Sequence, residues 1–339
     1  MYKRQGLTLR TSHDVNLIGL RHSMVVSLDL LDEKASTGTR GTKLSESNRD
    51  SYGLWFEDTL RLLDRVTLTG GIRFDKARFV EDIDFPQFEG TLHFHGLSPM
   101  AGISVDVLKP LTVYASYSRP FKAPNVDDFS AVVPTTFVGN INLQPQQGDS
   151  YEVGMRLTHP QVGAFKAAWF HTRIDREILY NAAAFQNQNM DTERIGVETN
   201  FEPASPIPQL TGRVTYTFVN AEFRKGDFAG NKIPATPEHR VTAHLAYEPV
   251  PHLACTLDWV SVRDFFRIND FANTLRGHNY GVLNLGAEFT YETYSVYVKI
   301  LNATNTEYSS FQSSNGVAIS TGEYPAPPIS FLGGIKLRF

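Results

Sequence analysis

Apolar and polar residues alternate along most of the chain. In VTLTGGIRF, apolar residues or glycine occupy every second position from Val66 to Phe74, and threonine, glycine and arginine fill the positions between them. The same alternation begins at Leu111 in LTVYASYSR, at Tyr151 in YEVGMRL and at Tyr294 in YSVYVKI. A period of two is typical of β-strands with one apolar face, and no stretch shows a helical period. The pattern therefore predicts an all-β chain.

The connections between these strands alternate between short and long. Tight turns are predicted at Leu63–Asp64, Leu108–Pro110, His159–Val162, Pro203–Gln209, Pro249–His252 and Glu292–Thr293. Long polar segments lie between the turns, at residues 36–47, 80–91, 120–147, 176–193, 223–237, 266–280 and 302–328. Up-and-down outer-membrane barrels have this regularity, with short periplasmic turns and long extracellular loops. We therefore predict an antiparallel up-and-down transmembrane β-barrel of about 14–15 strands, each of about 9–15 residues.

The two faces of the predicted strands differ in charge. The polar parity carries the charged residues Arg73, Asp75, Glu152, Arg156, Arg213, His244, Asp258, Glu288, Lys299, Lys336 and Arg338. Burying so many unpaired charges in a dry core would cost several kcal/mol for each of them. We therefore expect the charged parity to line a wet lumen and the apolar parity to face lipid. The alternative is a soluble β-sandwich binding module, which would differ in not needing detergent for purification.

Composition narrows the classes of function. The chain has 339 residues, of which 41% are hydrophobic, 12% aromatic and 20% charged, and its formal net charge is −4. Nucleic-acid binding normally requires a basic excess, so no nucleic-acid partner is expected. Nowhere does a run of about 18 apolar residues predict a transmembrane helix. The single cysteine, Cys255, excludes an internal disulfide framework and a cysteine-based zinc site.

The last predicted strand has one apolar face. In ISFLGGIKLRF, residues 329–339, that face carries the large side chains of Ile329, Phe331, Ile335, Leu337 and Phe339. An alternating final strand that ends in phenylalanine resembles the signal that the barrel-assembly machinery of bacterial outer membranes recognises. We expect these residues to form such an assembly signal, with Phe339 as the true end of the protein.

Five stretches carry a family resemblance. They are SYGLWFEDTLRLLDRVTLTGGIRFD (51–75), SPMAGISVDVLKPLTVYASYSRPFKAPNVDD (98–128), GNINLQPQQGDSYEVGMRL (139–157), GNKIPATPEHRVTAHLAY (230–247) and YGVLNLGAEFTYETYSVYVKILNATNTEY (280–308). In this order they resemble strands and loops of TonB-dependent outer-membrane receptors of the siderophore type. The third stretch departs from the family pattern, because Ile141, Gln144 and Gln146 stand where the family has Pro, Lys and Glu.

The resemblance extends over nearly the whole chain but lacks the family's N-terminal part. No stretch resembles the plug domain or the short TonB-contacting box, and complete transporters of this type have about 22 strands. Residues 1–339 are therefore expected to be the C-terminal portion of such a barrel, an incomplete fragment that does not transport by itself. The resemblance implies a location in the bacterial outer membrane, contact with its lipid, and coupling to the TonB system through the missing N-terminal region.

The resemblance also implies a ligand. The expected function of the parent protein is energy-coupled uptake of a scarce iron chelate, for which a ferric siderophore is the first choice. Cations in the loops would attract an anionic chelate, and aromatic side chains would pack on its rings. The loop candidates of these types are Phe121, Lys122, Phe129, Phe137, Phe185, Phe228, Arg267, Arg276, His278, Tyr308, Phe311 and Tyr324.

Catalytic motifs are absent from the sequence. No phosphate loop, nucleophile elbow, His-Glu-x-x-His motif or calcium loop is found, so no enzyme activity, catalytic residue or cofactor is predicted. An outer-membrane esterase or protease would need a Ser/His/Asp set, and no serine has that context. His93 and His95 would share a strand face, as metal ligands do, but two ligands without a third do not make a metal site.

Other transporters remain alternatives. Receptors of the same family for haem, cobalamin or a carbohydrate would share the fold. The Phe-Lys-Ala-Pro stretch is similar to a segment of haem receptors, but no histidine lies between Phe121 and Tyr151 to bind haem iron. A passive outer-membrane porin would be distinguished by a constriction loop, and none is evident.

Overall fold

The described part of the chain is built from β-strands and turns. The computed structural model describes residues 2–39, 42–84, 87–132, 137–314 and 321–338. Within these residues the strands are β1 Tyr2–Leu17, β2 Leu20–Thr39, β3 Thr42–Leu62, β4 Val66–Asp84, β5 Gln87–Leu108, β6 Leu111–Ser118, β7 Phe121–Lys122, β8 Ser130–Val132, β9 Phe137–Gly139, β10 Gln146–His159, β11 Gly163–Asn181, β12 Gln186–Pro203, β13 Leu210–Phe223, β14 His239–Val250, β15 Leu253–Arg263, β16 Tyr280–Tyr291, β17 Tyr294–Leu301, β18 Ser309–Ser314, β19 Thr321–Pro325 and β20 Ser330–Leu337. In these ranges no helix has the length and apolar character needed to cross a membrane. The all-β prediction is confirmed.

One antiparallel sheet contains most of the strands. It has 16 strands, of which all but the short β7 form a single path in the order β1–β6, β10–β17 and β20. The path therefore has fifteen strands, within the predicted number. Two small hairpins, β8–β9 and β18–β19, lie outside this sheet. Among the described residues β1 and β20 do not pair with each other, so the sheet has two edges.

Every second connection of the path is a short turn. These connections are residues 18–19, 63–65, 109–110, 160–162, 204–209, 251–252 and 292–293, and together they form one rim, here called the short-turn rim. At Leu63 and Asp64 both φ angles are positive, 50° and 53°, as type I′ hairpin turns require. The predicted tight turns are confirmed.

Three of the predicted long loops are instead strand. Most of residues 36–47, 80–91 and 176–193 belongs to the hairpins β2–β3, β4–β5 and β11–β12, and β5 alone has 22 residues, more than predicted. Backbone pairing continues in these hairpins after the apolar alternation has ended, and their polar composition imitates a loop. The other four long segments leave the main sheet, as predicted.

The two faces of the sheet have opposite character. On the face here called outward, large apolar side chains stand exposed, for example Phe331 at 71% and Ile335 at 72%. The other face, here called inward, carries the predicted charges, several of them in ion pairs, such as Arg73 Nη1 to Asp29 Oδ2 at 2.6 Å. Two buried clusters pack the 120–147, 224–238 and 264–279 loops against the inward face near the rim opposite the short turns. This arrangement matches a barrel with lipid outside and a polar interior.

The last strand continues the same alternation. β20 pairs with β17 in antiparallel register, with Ile335 opposite Val296 and Phe331 opposite Ile300. The apolar face of the predicted assembly signal is therefore outward, while Lys336 reaches Glu288 on the inward face at 2.8 Å. Phe339 lies outside the described residues.

Candidate ligand-binding surface

The Phe-Lys-Ala-Pro segment joins the sheet to the 120–147 loop. The ring of Phe121 lies directly over the backbone of Gly96, where a Cβ atom would be only 2.1 Å from the ring. Its backbone N–H donates to Ser98 Oγ at 3.0 Å, which fixes the start of the loop. Ala123 is buried, whereas Lys122 is exposed. In this segment Phe121 and Ala123 therefore hold the loop against the sheet, and Lys122 presents an accessible cation.

The 120–147 loop then folds onto the inward face of β4 and β5. Phe129 is 1% exposed and its ring contacts that of Phe79, with centroids 5.3 Å apart. Leu143 is fully buried in the same cluster. Burial also raises the pKa of Asp128, although the Asn125 backbone N–H that donates to its carboxylate opposes the rise. Phe129 therefore packs the loop in this structure and presents no ring to a ligand.

An open cavity lies beneath the start of this loop. It has a volume of about 360 Å³ and its lining includes Arg49, Arg73, Asp75, Phe121 and Lys122. We call it the junction cavity. Arg49 pairs with Glu33 at 3.1 Å, and the two partners of Arg73 are Asp29 and Asp75. Lys122 and Lys76 are the lining cations without such a partner among the described side chains, and Lys122 is the one that belongs to the loop.

A second group of candidates surrounds the β18–β19 hairpin. Glu323 accepts an ion pair from Arg267 Nη2 at 2.6 Å and lies 3.9 Å from His278 Nδ1. Arg267 is only 7% exposed, so its charge fastens the 264–279 loop to the hairpin. On the hairpin itself the rings of Phe311 and Tyr324 meet edge to face with centroids 5.3 Å apart, and both are exposed.

An open cavity of about 480 Å³ lies beside this hairpin. His278, Tyr308 and Glu323 are among its lining residues, and the Tyr308 ring also contacts the Tyr280 ring at a 30° tilt, with centroids 4.9 Å apart. We call it the hairpin cavity. Its lining includes the carboxylate of Glu307 as well as that of Glu323, so it is less suited to an anion than the junction cavity.

Arg276 is the exposed cation of the 264–279 loop. Its guanidinium carbon lies over the ring of Phe266, 5.1 Å from the ring centroid, and no other described side chain pairs with it. A planar cation held against an aromatic ring in this way keeps its hydrogen-bond donors free at the edge. The arrangement can accept carboxylate or catecholate oxygens.

The remaining candidates are dispersed. Phe228 packs with Phe223 and Phe271 in a second inward cluster. Phe185 stands alone at the tip of the turn between β11 and β12, 47% exposed. The side chain of Phe137 lies outside the described part of the structure. The structure therefore brings some candidates together around two cavities and gives others a packing position.

The 224–238 loop contains Lys232, a cation of the type expected to bind a ligand. Two carboxylates of the fold neutralise its charge. Lys232 Nζ lies 3.1 Å from both Glu222 Oε1 and Glu238 Oε1. Burial by itself would lower the pKa of Lys232, but hydrogen bonds and charge from these two carboxylates leave that pKa raised. Its charge is therefore used inside the fold.

Sequence reasoning missed the ion-pair network beside the junction cavity. Arg73 reaches Asp29 because the facing residue is Gly53, where a Cβ atom would be 1.9 Å from the Arg73 guanidinium nitrogen. Arg73 also donates to Asp75 Oδ1 through Nε at 2.9 Å. The shared parity of Arg73 and Asp75 was the only signal of this network in the sequence, because Asp29 is distant in the chain.

His93 and His95 do share a face, as expected, and both are exposed on the outward side. Their cross-strand neighbours are Arg78 and Lys76, which are cations and not ligands for a metal. Among the described residues no group of three or more His, Cys, Asp or Glu side chains is placed to hold a metal ion.

Solved structures of receptors and transporters share this fold. The ferric-catecholate import receptor Fiu from E. coli K12, in its closed form, aligns with a TM-score of 0.79 at 16% identity, over 100% of this chain and 55% of Fiu. The ferric citrate transporter FecA aligns with a TM-score of 0.79 at 17% identity, over 99% of this chain and 54% of FecA. The copper transporter OprC aligns with a TM-score of 0.78 at 14% identity, over 100% of this chain and 56% of OprC.

At these identities the likeness shows the fold, and the chain spans about half the length of the solved structures it matches. The sequence itself gives the family. The family model described as "TonB dependent receptor-like, beta-barrel" matches residues 1–303, which is most of the chain. This match confirms the resemblance that the five stretches indicated. The chain therefore belongs to the TonB-dependent receptor-like β-barrel family.

Proposed function

We propose that this chain is the C-terminal portion of an outer-membrane receptor that takes up a ferric siderophore with energy from the TonB system. One observation carries the choice of ligand. Lys122 and Arg276 are exposed loop cations without an ion-pair partner among the described residues, and each lies beside an aromatic ring, that of Phe121 or Phe266. Anionic ferric chelates with oxygen donors and ring systems suit this pairing of charge and aromatic surface.

The fold supports the same class of ligand. Both cations lie in loops at the rim opposite the short turns, which is the extracellular rim in outer-membrane barrels. Fiu and FecA, which share the fold, are named for import of ferric catecholate and ferric citrate. Haem, cobalamin and carbohydrates are the other ligands that a receptor of this fold would be tested against.

Arg267 is not part of the proposed ligand contact. The sequence places it with Lys122 and Arg276, but its guanidinium is buried against Glu323. Reversing its charge would leave two carboxylates facing each other and would loosen the loop, so a loss of uptake would not report on ligand binding. The proposal therefore rests on the two exposed cations.

The test is charge reversal in the full-length receptor. The double variant Lys122→Glu/Arg276→Glu should lower the affinity for radioiron-labelled ferric catecholate or ferric citrate at least about tenfold. The reason is that a hydrogen bond to a charged group contributes about 1.5–3 kcal/mol. Cell-surface binding and uptake would be measured for both chelates, with haem and cobalamin as parallel substrates.

The matched control is Arg65→Glu, an exposed cation in a turn of the short-turn rim. It makes the same change of charge where no chelate arrives, and uptake should be unchanged. Heat-modifiable migration would show that each variant assembles. Equal uptake of both iron chelates by the wild type and the double variant would refute the proposed contact, and uptake of haem or cobalamin alone would refute the siderophore assignment.

A further inference from the structure

A group of cations stands on the outward face, and only one of them, Lys76, borders the junction cavity. Lys76 and Arg78 lie on β4, and His93 and His95 lie on β5. Lys76 is directly opposite His95, and Arg78 is directly opposite His93, so the four side chains form one compact surface. All four are exposed. We call this surface the outward basic patch.

The patch begins where the apolar surface ends. The cross-strand pair immediately before it is Phe74 and Leu97, which are 46% and 49% exposed. From Val66 to Phe74 the strand makes eight steps of about 3.4 Å each and would be tilted by about 35–45°, so this stretch spans about 20 Å along the membrane normal. That height approaches the apolar band of about 25 Å in outer-membrane barrels. The next outward side chains therefore lie at the level of the lipid headgroups.

The charges of the patch are not used within the fold. None of its four side chains has an ion pair or hydrogen bond to another described residue. By contrast Arg73, the next residue before Phe74, faces inward and has two carboxylate partners. The acid nearest to the patch in the sheet is Asp50, which lies opposite Arg78 on β3. Asp32 lies opposite Asp50 on β2, but among the described residues neither acid forms an ion pair with Arg78 or Lys76, so both cations remain available to an anion.

The height of the outward basic patch in the membrane determines which kind of molecule it can bind. Side chains that project outward there meet the membrane interface, and clusters of Lys and Arg at such an interface attract anionic headgroups. The Arg78 guanidinium can bind two oxygens of one phosphate, while Lys76 acts as a point charge. The imidazole N–H groups of His93 and His95 add donors on the same surface. Phosphate is the anion that this set of donors fits.

We propose that the outward basic patch binds the phosphate groups of a lipid headgroup in the outer leaflet of the outer membrane. The bound lipid would place its acyl chains along Phe74 and Leu97 and its phosphates on the patch. This inference rests on the outer-membrane location proposed above and not on the chelate, because Arg78, His93 and His95 line neither cavity.

The experiment measures lipid binding to the full chain in detergent micelles by native mass spectrometry. The probes are lipid A, a diphosphorylated glucosamine lipid, and the same lipid after removal of its phosphates. We expect the wild type to bind the phosphorylated form at least about tenfold more tightly, and Lys76→Gln/Arg78→Gln to lose most of that preference, because each interfacial cation contributes about a factor of five. The conservative double variant Lys76→Arg/Arg78→Lys should retain it.

The control is Arg65→Gln/Lys109→Gln. It removes one arginine and one lysine, both exposed, from the turns at the other ends of β4 and β5, on the short-turn rim. Equal losses in the two Gln variants, or equal affinity of the wild type for both forms of the lipid, would overturn the proposal. Competition by millimolar inorganic phosphate that displaces the lipid completely would also overturn it, because the patch would then be a site for free phosphate. Chelate uptake by the single variant Arg78→Gln should be unchanged, because Arg78 lines neither cavity, and this separates the result from that of the proposed function.

Discussion

Two glycines determine where key side chains lie. Gly96 leaves room for the Phe121 ring, and Gly53 leaves room for the Arg73 guanidinium. The two differ in what a methyl group would meet. At Gly53 it would meet the far end of a flexible side chain, whereas at Gly96 it would meet a ring whose backbone is fixed by Ser98. Gly96 is therefore the less replaceable of the two.

Replacing Gly96 with alanine should release the 120–147 loop. The Phe121 ring would have to move away from β5, at a cost of about 1–3 kcal/mol for overpacking. Hydrogen exchange of the amides in residues 121–129 should accelerate in this variant. The control is Gly102→Ala on the same strand, where the new methyl group would have its nearest neighbour at 3.7 Å. Identical exchange in both variants would show that the ring contact does not hold the loop.

The candidate site shows what residue type alone can predict. The chemistry of chelates predicts contacts with aromatic and cationic residues in polar segments, and of these Lys122, Arg276 and His278 are accessible. Sequence could not distinguish them from Phe129 or Arg267, which have the same chemistry but are buried by contacts with distant strands. Burial of a loop residue depends on tertiary packing, which has no short-range pattern.

At the scale of the strand, the alternation of apolar and polar residues predicts which face a side chain occupies better than it predicts the length of the strand. The parity of β4, β10 and β17 gave the correct face for Phe74, Val153 and Val298 because a period of two leaves no other choice. The polar composition of the upper parts of β2, β4 and β11 predicts loops, which is wrong because both faces of a hairpin in water can be polar. Backbone hydrogen bonds, which define those parts as strand, are invisible in a hydropathy pattern.

Two adjacent residues of β6 test which face meets lipid. Ala115 is outward, between Ile103 and Val153, and Ser116 is inward, opposite Glu152. Ala115→Arg should cost about 2–4 kcal/mol of barrel stability in a bilayer, because the charge would lie in hydrocarbon. Ser116→Arg should be tolerated, since the new charge faces a carboxylate and water. Urea titration in lipid vesicles would measure both, and equal effects would contradict the assignment of the faces.

At the scale of the molecule, the sheet has an odd number of strands on its path. Neighbours are antiparallel throughout, so β1 and β20, the first and the fifteenth, run in the same direction. Closing them onto each other would require a parallel pair, which is uncommon in outer-membrane barrels. All 16 residues of β1 are exposed, and one side of its backbone has no partner strand among the described residues. Unpaired backbone groups in lipid cost several kcal/mol each.

The chain purified by itself should therefore not form a stable closed monomer. In detergent we expect association through the free edges, seen as oligomers by light scattering and as weak heat-modifiable migration, because edge strands pair readily with other edges. Cross-linking gives a direct test in a Cys255→Ser background. Leu9→Cys with Leu28→Cys joins residues that face each other on β1 and β2, and a short bismaleimide should link them within one chain. Leu9→Cys with Ile335→Cys, on β1 and β20, should give links only between chains. An intramolecular link between β1 and β20 in a monomer would show that the fifteen strands close after all.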